Sequence, residues 1–188
     1  SVIMKMSETL AKLAAGIDLD SDEMTAMMQS IMTGEATPAQ IGSALTALRI
    51  KGETVEEITA AASVMRDLSS RVPVSYDEMI DTCGTGGSGV SKFNVSTASA
   101  IVIASAGLRV AKHGNRAASG VSGSADVLEA AGLRLDMSPD AVAASIEQVG
   151  VGFLFAVNHH SAMKHAIGPR RELKFRTIFN LLGPLTNP

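Results

Sequence analysis

The stretch with the clearest chemistry is a glycine-rich run at residues 84–89, in which four of six residues are glycine. It follows an apolar, strand-like segment and precedes a helical pattern. Such a turn lets backbone N–H groups approach an anion because no Cβ intervenes, and the positive end of the following helix adds attraction. A loop that only turns the chain needs fewer glycines, and Thr85 and Ser88 add hydroxyl groups. The run therefore predicts a phosphate-binding loop.

Further polar clusters lie close to this run in the sequence. Residues 94–97 supply amide and hydroxyl groups at a predicted helix start, where they either cap the helix or bind a phosphate oxygen or a metal-bound water. Residues 112–116 add cations and an amide after a predicted strand, and residues 119–124 add serines and glycines. Several such loops within about forty residues predict a ligand with more than one phosphate, such as a diphosphate on a sugar.

Two common nucleotide-binding patterns fit the run poorly. Residues 84–89 match Gly-x-Gly-x-x-Gly, but a dinucleotide site also needs an acidic residue about twenty positions on to bind a ribose hydroxyl. The next predicted strand instead ends in Lys112 and His113. A Walker loop requires Gly-Lys and then serine or threonine, which this run lacks. Nicotinamide and Walker-type nucleotide sites are therefore disfavoured.

Composition narrows the class of protein. The chain has 188 residues, of which 46% are hydrophobic and 3% aromatic, and this favours helices packed on helices or on a sheet. Its apolar runs are far shorter than a membrane-spanning helix, so no membrane association is expected. A net charge of −3 disfavours a nucleic-acid surface. One cysteine excludes an internal disulfide, and we expect a cytoplasmic protein.

The elements that must position these residues fall into two patterns. Residues 2–70 predict a bundle of four short helices, because capping residues recur with Glu or Gln three positions later. The pairs are Asp20 with Glu23, Thr37 with Gln40, and Thr54 with Glu57. A methionine-rich face is interpreted as core packing between these helices, with an adaptable partner surface as the alternative. It consists of Met24, Met27, Met28 and Met32.

From residue 79 onward, apolar strand patterns alternate with helical ones, which predicts a largely parallel sheet with crossover helices. The predicted strands are 79–83, 108–111 and 152–156, and the predicted helices are 95–106, 125–131 and 139–149. Ligands in such sheets bind beyond the carboxyl ends of the strands. The glycine run, the pair Lys112 and His113, and residues 158–160 all follow strands. We therefore expect them to converge.

The predicted domains are a helical bundle at 1–72, an α/β domain at 73–165 and a helical return segment at 166–188 that packs on the first domain. The chain ends in a turn after only three predicted strands. We therefore expect a truncated chain whose sheet is incomplete.

Longer motifs carry a family resemblance. GTGGSG, FNVST, KHGNRAAS, SGSADVLEAAG and LGPLTNP, with the amino-terminal IMTGEATPAQIGSALTALRIKGETVEEI, closely resemble the anthranilate phosphoribosyltransferases of tryptophan biosynthesis along essentially the whole chain. The resemblance implies a helical domain plus an α/β domain of the nucleoside phosphorylase and phosphoribosyltransferase type. It also implies transfer of a phosphoribosyl group from phosphoribosyl pyrophosphate to the amine of anthranilate, with Mg²⁺ and release of pyrophosphate.

The resemblance assigns binding roles residue by residue. The phosphoribosyl pyrophosphate residues would be Gly84, Gly87, Ser88, Lys92, Asn94, Val95, Ser96, Thr97, Lys112, His113, Gly114, Asn115, Arg116, Ala117, Ala118, Ser119, Gly120 and Ser124. The anthranilate residues would be Gly84, Asn115, Arg170, His113 and His160. Ser96 would be a Mg²⁺ ligand, and the paired acidic ligands would lie beyond Pro188. Ser88, Lys92 and Gly120 depart from the family pattern, and we interpret Lys92 as an added cation near the phosphate.

The chemistry agrees with these assignments. An arginine fork can bind the anthranilate carboxylate through two parallel hydrogen bonds, which suits Arg170. The arylamine is a neutral nucleophile near pH 7, so no catalytic base is assigned. We interpret Cys83 as a small apolar strand residue and Asp126 as a helix cap. A zinc site at the neighbouring histidines His159, His160 and His165 is disfavoured.

Two alternatives stay open at this point: a pyrimidine nucleoside phosphorylase of the same fold, and a non-catalytic relative that binds nucleic acid on a basic face. We expect a homodimer formed through the helical domain. Because the acidic metal ligands would lie beyond Pro188, we expect the 188 residues alone to have little transferase activity. Normal loss of anthranilate fluorescence with phosphoribosyl pyrophosphate and Mg²⁺ would refute that expectation.

Overall fold

The chain divides into two structural units in the computed structural model, which describes residues 5–86, 93–117 and 122–188. The first unit combines the chain up to Leu68 with Ser161–Thr186, and the second consists of Ser69–His160 with Asn187–Pro188. The elements in chain order are α1 (Met6–Ala14), α2 (Ser21–Thr33), α3 (Pro38–Lys51), α4 (Val55–Asp67), α5 (Val95–Ser105), β1 (Val110–Gly114), α6 (Ser124–Ala130), α7 (Pro139–Val149), β2 (Val151–Phe155), α8 (Ala156–His159), a 3₁₀ turn (Ser161–Met163), α9 (Lys164–Leu173) and α10 (Ile178–Leu185).

Reciprocal caps begin three helices of the first unit, as the sequence predicts. At α2 the Asp20 carboxylate accepts a hydrogen bond from the Glu23 backbone N–H at 2.9 Å, and the Glu23 carboxylate accepts from the Asp20 N–H at 3.0 Å. The same exchange joins Thr37 to Gln40 and Thr54 to Glu57. Each cap satisfies backbone donors that no helical carbonyl can reach, which fixes where the helix begins.

The core of the first unit includes the methionine-rich face. Met24, Met27, Met28 and Met32 are at most 3% exposed. Core packing is therefore confirmed for these four residues, and the partner-surface alternative is wrong for them. Ala166, Ile178, Phe179 and Leu182 from α9 and α10 belong to the same core, so the carboxyl-terminal helices complete the amino-terminal bundle.

A buried ion pair ties α3 to the start of α4. Glu57 is fully buried, and its carboxylate accepts hydrogen bonds from the backbone N–H groups of Leu19 at 2.9 Å and Thr54 at 2.8 Å. The Lys51 ammonium lies 3.0 Å from the same carboxylate and 2.6 Å from the largely exposed carboxylate of Asp18. The Glu57 carboxylate therefore accepts hydrogen bonds from three groups in different parts of the bundle.

The described sheet of the second unit has two parallel strands. β1 pairs with β2 in a register that joins Val110 to Val151 and Gly114 to Phe155. Val72 and residues of α7 cover the pair, and they form a small core with Ala111 and Leu154. The predicted parallel sheet and its crossover helix at 139–149 are thus confirmed. No helix in the described ranges is long and apolar enough to cross a membrane.

The strand predicted at 79–83 is wrong as a full strand. Only an isolated parallel bridge forms there, between Ile80 and Val110. The reason lies in Asp81, whose side chain accepts the backbone N–H groups of Cys83 at 3.0 Å and His113 at 3.1 Å. A side-chain acceptor therefore takes a donor that a third strand would need, and the ladder ends after one bridge. β1 also begins two residues later than predicted and runs on to Gly114.

Candidate functional site

Three chain segments that the sequence assigns to phosphate binding meet in the second unit. The Thr82 hydroxyl donates to the backbone carbonyl of Ser96 in the first turn of α5 at 2.7 Å. One residue earlier, Asp81 accepts the backbone N–H of His113 near the end of β1. The approach to the glycine run, the start of α5 and the carboxyl end of β1 therefore lie together. This arrangement matches the expected convergence at the strand ends.

The start of α5 leaves polar groups available for a ligand. Asn94 precedes the helix but does not cap it with its side chain, and instead its amide donates to the Ser122 hydroxyl at 3.5 Å. The Thr97 hydroxyl is buried and has no hydrogen-bond partner within the described ranges. Val95 is exposed, and Ser96 is half-buried. An anion at this helix end would meet the positive end of the helix dipole and first-turn N–H groups that no carbonyl of the helix can reach.

Two cationic or titratable side chains are buried at the end of β1. Lys112 and His113 are 2% and 3% exposed, and the Lys112 ammonium donates to the His113 carbonyl at 3.2 Å. Burial lowers the pKa of Lys112, although the neighbouring Cys83 and Asp81 act in the opposite direction. The imidazole ring of His113 lies 5.2 Å from that of His160, centroid to centroid. The structure thus brings together the two histidines assigned to the anthranilate path.

The loop after β1 is braced by an ion-pair cluster. The Arg116 guanidinium forms two hydrogen bonds to Glu129, at 2.7 and 2.9 Å, and a third to Asp126 at 3.1 Å. Arg116 is exposed, so these pairs are screened by solvent. The structure therefore gives Arg116 carboxylate partners within the protein, both on α6.

Asp126 accepts hydrogen bonds from two backbone N–H groups, one on either side of residues 118–121. One of its carboxylate oxygens accepts the backbone N–H of Ala117 at 3.0 Å and that of Gly123 at 2.7 Å. These two bonds, and then the pairing with Arg116, hold the pKa of Asp126 below its usual range, against the opposing effect of burial. The helix begins at Ser124, one residue before the predicted start. The Asn115 carbonyl accepts the N–H of Ala125, which ties the same loop to the helix.

Replacing Asp126 with alanine should remove its hydrogen bonds to the Ala117 and Gly123 backbone N–H groups, which we call the Asp126 clamp. We expect amide hydrogen exchange at Ala117 and Gly123 to become several-fold faster, because both donors lose their acceptor. The depressed pKa makes the clamp pH-dependent: it is present above the ordinary aspartate range and is lost as pH falls through the lowered folded-state value. Asp140→Ala, an exposed aspartate in the first turn of α7, is the matched control. Unchanged exchange at both amides in Asp126→Ala would contradict the role.

Arg170 lies in the first unit, on α9. Its guanidinium stacks over the Phe179 ring at 5.2 Å, and burial lowers its pKa. Among the described residues no carboxylate forms an ion pair with it. A half-buried guanidinium without a carboxylate in the described chain is suited to bind one from a ligand.

The described residues suit Mg²⁺ only in part. Ser96 offers one hydroxyl oxygen, and Mg²⁺ prefers oxygen ligands, often supplied by substrate phosphates and water. Within the described ranges the one group of at least three His, Cys, Asp or Glu side chains able to hold a metal is Asp81, Cys83 and His113, which is not an all-oxygen set. Ser96 could therefore contribute one ligand while a bound diphosphate supplies others.

The histidines considered for zinc do not form a group. His159 lies 2.7 Å from the Ser70 carbonyl through Nδ1, and His165 belongs to the first unit, where its ring covers Gly34. Asp81 is a member of the site that was not predicted from the sequence. Its signal was Asp-x-Cys immediately before the glycine run, beside a strand ending in Lys-His.

Cys83 is half-buried. Burial, and then the charge of Asp81, raise the pKa of its thiol to about 11, while Lys112 acts in the opposite direction. This agrees with the interpretation that Cys83 is not a nucleophile. Several predicted ligand residues lie outside the described residues: Gly87, Ser88, Lys92, Ala118, Ser119 and Gly120.

Two consecutive parts of the chain match known protein domains, and the second match runs past the second unit into α9 and α10. Residues 7–69 match the helical bundle domain of a glycosyl transferase family, and residues 76–188 match the glycosyl transferase family a/b domain. Similar curated proteins include the anthranilate phosphoribosyltransferase of Thioalkalivibrio sulfidiphilus, 64% identical over 98% of this chain and 55% of the relative. That of Cellvibrio japonicus is 62% identical over 98% of this chain and 54% of the relative. The chain spans about half the length of the curated relatives it matches.

Solved structures give the same result. Anthranilate phosphoribosyltransferase from Thermus thermophilus superimposes with a TM-score of 0.91 at 46% identity, over 96% of this chain and 55% of that one. The Saccharomyces cerevisiae enzyme in complex with PRPP and Mg has a TM-score of 0.89 at 29% identity, over all of this chain and 57% of that one.

Proposed function

The chain belongs to the glycosyl transferase family with the a/b domain, and from this premise we propose that it serves phosphoribosyl transfer from phosphoribosyl pyrophosphate to the amine of anthranilate, the second step from chorismate to tryptophan. The observation that carries the proposal is the convergence of the glycine-run approach, the α5 start and the β1 end. The names of the relatives favour this reaction over the pyrimidine nucleoside phosphorylase alternative.

The phosphate ligand would be bound mainly by fixed donors. We propose that Gly84, the backbone N–H groups at the start of α5 and the buried Lys112 surround the pyrophosphate. Such donors act without rearrangement during the reaction, and burial strengthens their effect. Asp126 and Arg116 would then act indirectly, because they hold the loop and do not contact the ligand.

The acceptor would be bound through its carboxylate. Arg170 offers a planar pair of N–H donors that match a carboxylate. The family resemblance also assigns the Asn115 amide to this substrate. The paired rings of His113 and His160 would line the acceptor path. The role of Arg170 can be tested separately from the phosphate ligands, because it predicts an effect on one substrate only.

The reaction needs positioning more than acid–base chemistry. The C1–oxygen bond to pyrophosphate breaks, the anthranilate nitrogen forms a bond to C1, and one amine proton passes to solvent. Positive charge builds on the ribose and negative charge on the leaving group, so the N–H donors and Lys112 stabilise the leaving pyrophosphate. Bound Mg²⁺ would neutralise phosphate charge, with Ser96 as one ligand. The arylamine attacks as a neutral nucleophile and needs no strong base.

We also propose a cytoplasmic homodimer formed through the helical bundle. The methionine-rich face cannot form the interface because it is core. An apolar groove of about 780 Å³ between α1, α3 and α9 is the better candidate. Ile50 on its edge is 81% exposed and extends the apolar surface of the groove, and contiguous apolar surface of this kind is typical of protein–protein interfaces. Sedimentation of the wild-type chain and of Ile50→Glu would test this: only the wild type should sediment as a dimer.

A chimera tests the proposed reaction directly. Residues 1–188 replace the corresponding part of the Thioalkalivibrio sulfidiphilus relative, and anthranilate fluorescence is followed with phosphoribosyl pyrophosphate and Mg²⁺. We expect turnover comparable to that of the unmodified relative. A folded chimera that consumes no anthranilate, while the relative does, would overturn the proposal.

In the same chimera, Arg170→Lys should raise KM for anthranilate by roughly 10- to 100-fold, because hydrogen bonds to charged groups contribute about 1.5–3 kcal/mol. KM for phosphoribosyl pyrophosphate should change little. Arg171→Lys, the same substitution at the exposed neighbouring arginine, is the matched control. Equal effects on both substrates would argue against a carboxylate-binding role for Arg170.

A further inference from the structure

An aspartate, a cysteine and a histidine meet beside the end of β1. One potential ligand atom from each of Asp81, Cys83 and His113 lies within 4.8 Å of the other two. The single bridge between Ile80 and Val110 explains the meeting, because it sets residues 81–83 alongside residues 111–113. His113 is 3% exposed, while Asp81 and Cys83 are half-buried. The group is therefore reachable from solvent on one side and enclosed on the other.

Asp81 has one oxygen fixed and one oxygen unused. Oδ1 accepts the backbone N–H groups of Cys83 and His113, so the other two members of the group orient the carboxylate. Oδ2 is buried and has no hydrogen-bond partner among the described residues. Burying an unpaired carboxylate oxygen is costly, and such an oxygen in a folded protein indicates a missing partner. A cation is the partner that would compensate a carboxylate most fully.

The donor set selects the kind of cation. Thiolate, imidazole and carboxylate are the ligands of zinc-class ions, while Mg²⁺ and Ca²⁺ require mainly oxygen ligands. We propose that Asp81, Cys83 and His113 form a three-ligand site for a zinc-class divalent cation, with a fourth position open to water. This site is separate from the Mg²⁺ role proposed for Ser96, and it does not depend on the transfer reaction.

Binding a zinc ion requires the ligand atoms of Asp81, Cys83 and His113 to move only slightly closer together. Zinc bonds of about 2.0–2.3 Å in a tetrahedral site set ligand atoms about 3.5 Å apart, so the three ligand atoms would close by roughly 1 Å. The thiol now donates to the Gly84 carbonyl at 3.5 Å, a weak bond that is easily replaced. A bound cation also reverses the local preference of the thiol for its protonated form, since metal ligation deprotonates a cysteine outright. Lys112 interacts electrostatically with Cys83 and Asp81 and would repel a dication, so the affinity should be moderate.

The test titrates the full 188-residue chain with Zn²⁺ and, for its absorption spectrum, with Co²⁺. We expect one ion per chain and a cobalt–thiolate charge-transfer band. Cys83→Ser should abolish the band and weaken Zn²⁺ binding at least about 10-fold. Asp81→Asn keeps an acceptor for the two backbone donors and should also weaken binding at least about 10-fold. Asp77→Asn, the same substitution at an exposed aspartate, is the matched control.

Two results would overturn the proposal. The first is absence of a cobalt–thiolate band with the folded wild-type chain. The second is Zn²⁺ binding that is as tight in Cys83→Ser and in Asp81→Asn as in the wild-type chain, which would locate the ion elsewhere. Mg²⁺ added in the same excess should leave the cobalt spectrum unchanged, and displacement of Co²⁺ by Mg²⁺ would contradict the choice of a zinc-class ion. Circular dichroism of each variant shows whether it has kept its fold.

Discussion

Replacing Glu57 with alanine is expected to destabilise the first unit by about 3–5 kcal/mol, the usual effect of removing one partner of a buried ion pair. Its carboxylate is fully buried and accepts from Leu19 N–H, Thr54 N–H and the Lys51 ammonium. The substitution leaves two backbone donors without this acceptor, and the Lys51 ammonium keeps only Asp18 and the Gly52 carbonyl as partners. Urea unfolding followed by far-ultraviolet circular dichroism measures the loss.

Asp18 supplies a control for this prediction because it pairs with the same Lys51 from the exposed side. Asp18→Asn should cost no more than about 1 kcal/mol, as is usual for an exposed pair. Equal losses of unfolding free energy in the two variants would contradict the larger effect expected from the burial of Glu57.

The same network predicts that the stability of the first unit falls at alkaline pH. Burial alone would lower the pKa of Lys51, but hydrogen bonds to Asp18 and Glu57 outweigh it and raise the pKa. The resulting stabilisation is present below the ordinary lysine pKa of 10.5 and is lost as pH rises through the folded-state value. In Glu57→Ala this alkaline loss should be smaller.

Gly123→Ala is expected to destabilise the second unit by at least about 2 kcal/mol, because the new methyl group has no space. A Cβ at this position would overlap the Ala117 nitrogen and lie 2.6 Å from the Arg116 carbonyl carbon. Both are backbone atoms, so no side chain can move aside. The loop must open, and the chimera should lose affinity for phosphoribosyl pyrophosphate.

Tyr76 makes this prediction measurable for the second unit by itself. It is the single tyrosine of a chain without tryptophan, and it lies in that unit beneath the Arg109 guanidinium. Its fluorescence during urea unfolding should show an earlier midpoint for Gly123→Ala. Gly42→Ala, at an open position inside α3 of the first unit, should leave the tyrosine midpoint unchanged. An unchanged tyrosine midpoint in Gly123→Ala would contradict the predicted clash.

The helices could be predicted from sequence because their signals are local. The pairs at α2, α3 and α4 lie three residues apart, and all form the expected reciprocal bonds. The prediction of a third strand failed for a non-local reason. The Asp81 carboxylate accepts a hydrogen bond from the N–H of His113, which lies 32 positions away. No periodicity in residues 79–83 reveals that competition.

The residue types of the candidate site could be predicted from the sequence, but the contacts among these residues could not. Glycines, hydroxyls and cations at the strand ends predicted a phosphate site, and the structure brings their segments together. The partners of Arg116 could not be read from sequence, since Glu129 and Asp126 reach it only after α6 folds back. The same holds for Asp81, whose significance comes from its neighbours across the bridge.

The first unit is discontinuous along the chain, and this has a consequence for biosynthesis. Helices α1–α4 leave the ribosome before α9 and α10 exist, and α3 and α4 contact those later helices. At about 5–20 residues per second, the intervening residues delay completion by roughly 5–20 s. During that interval the apolar surfaces later covered by Ile178 and Leu182 stay open to chaperones or to neighbouring nascent chains. The interrupted unit, rather than the smaller sheet, should therefore limit the yield of folded protein.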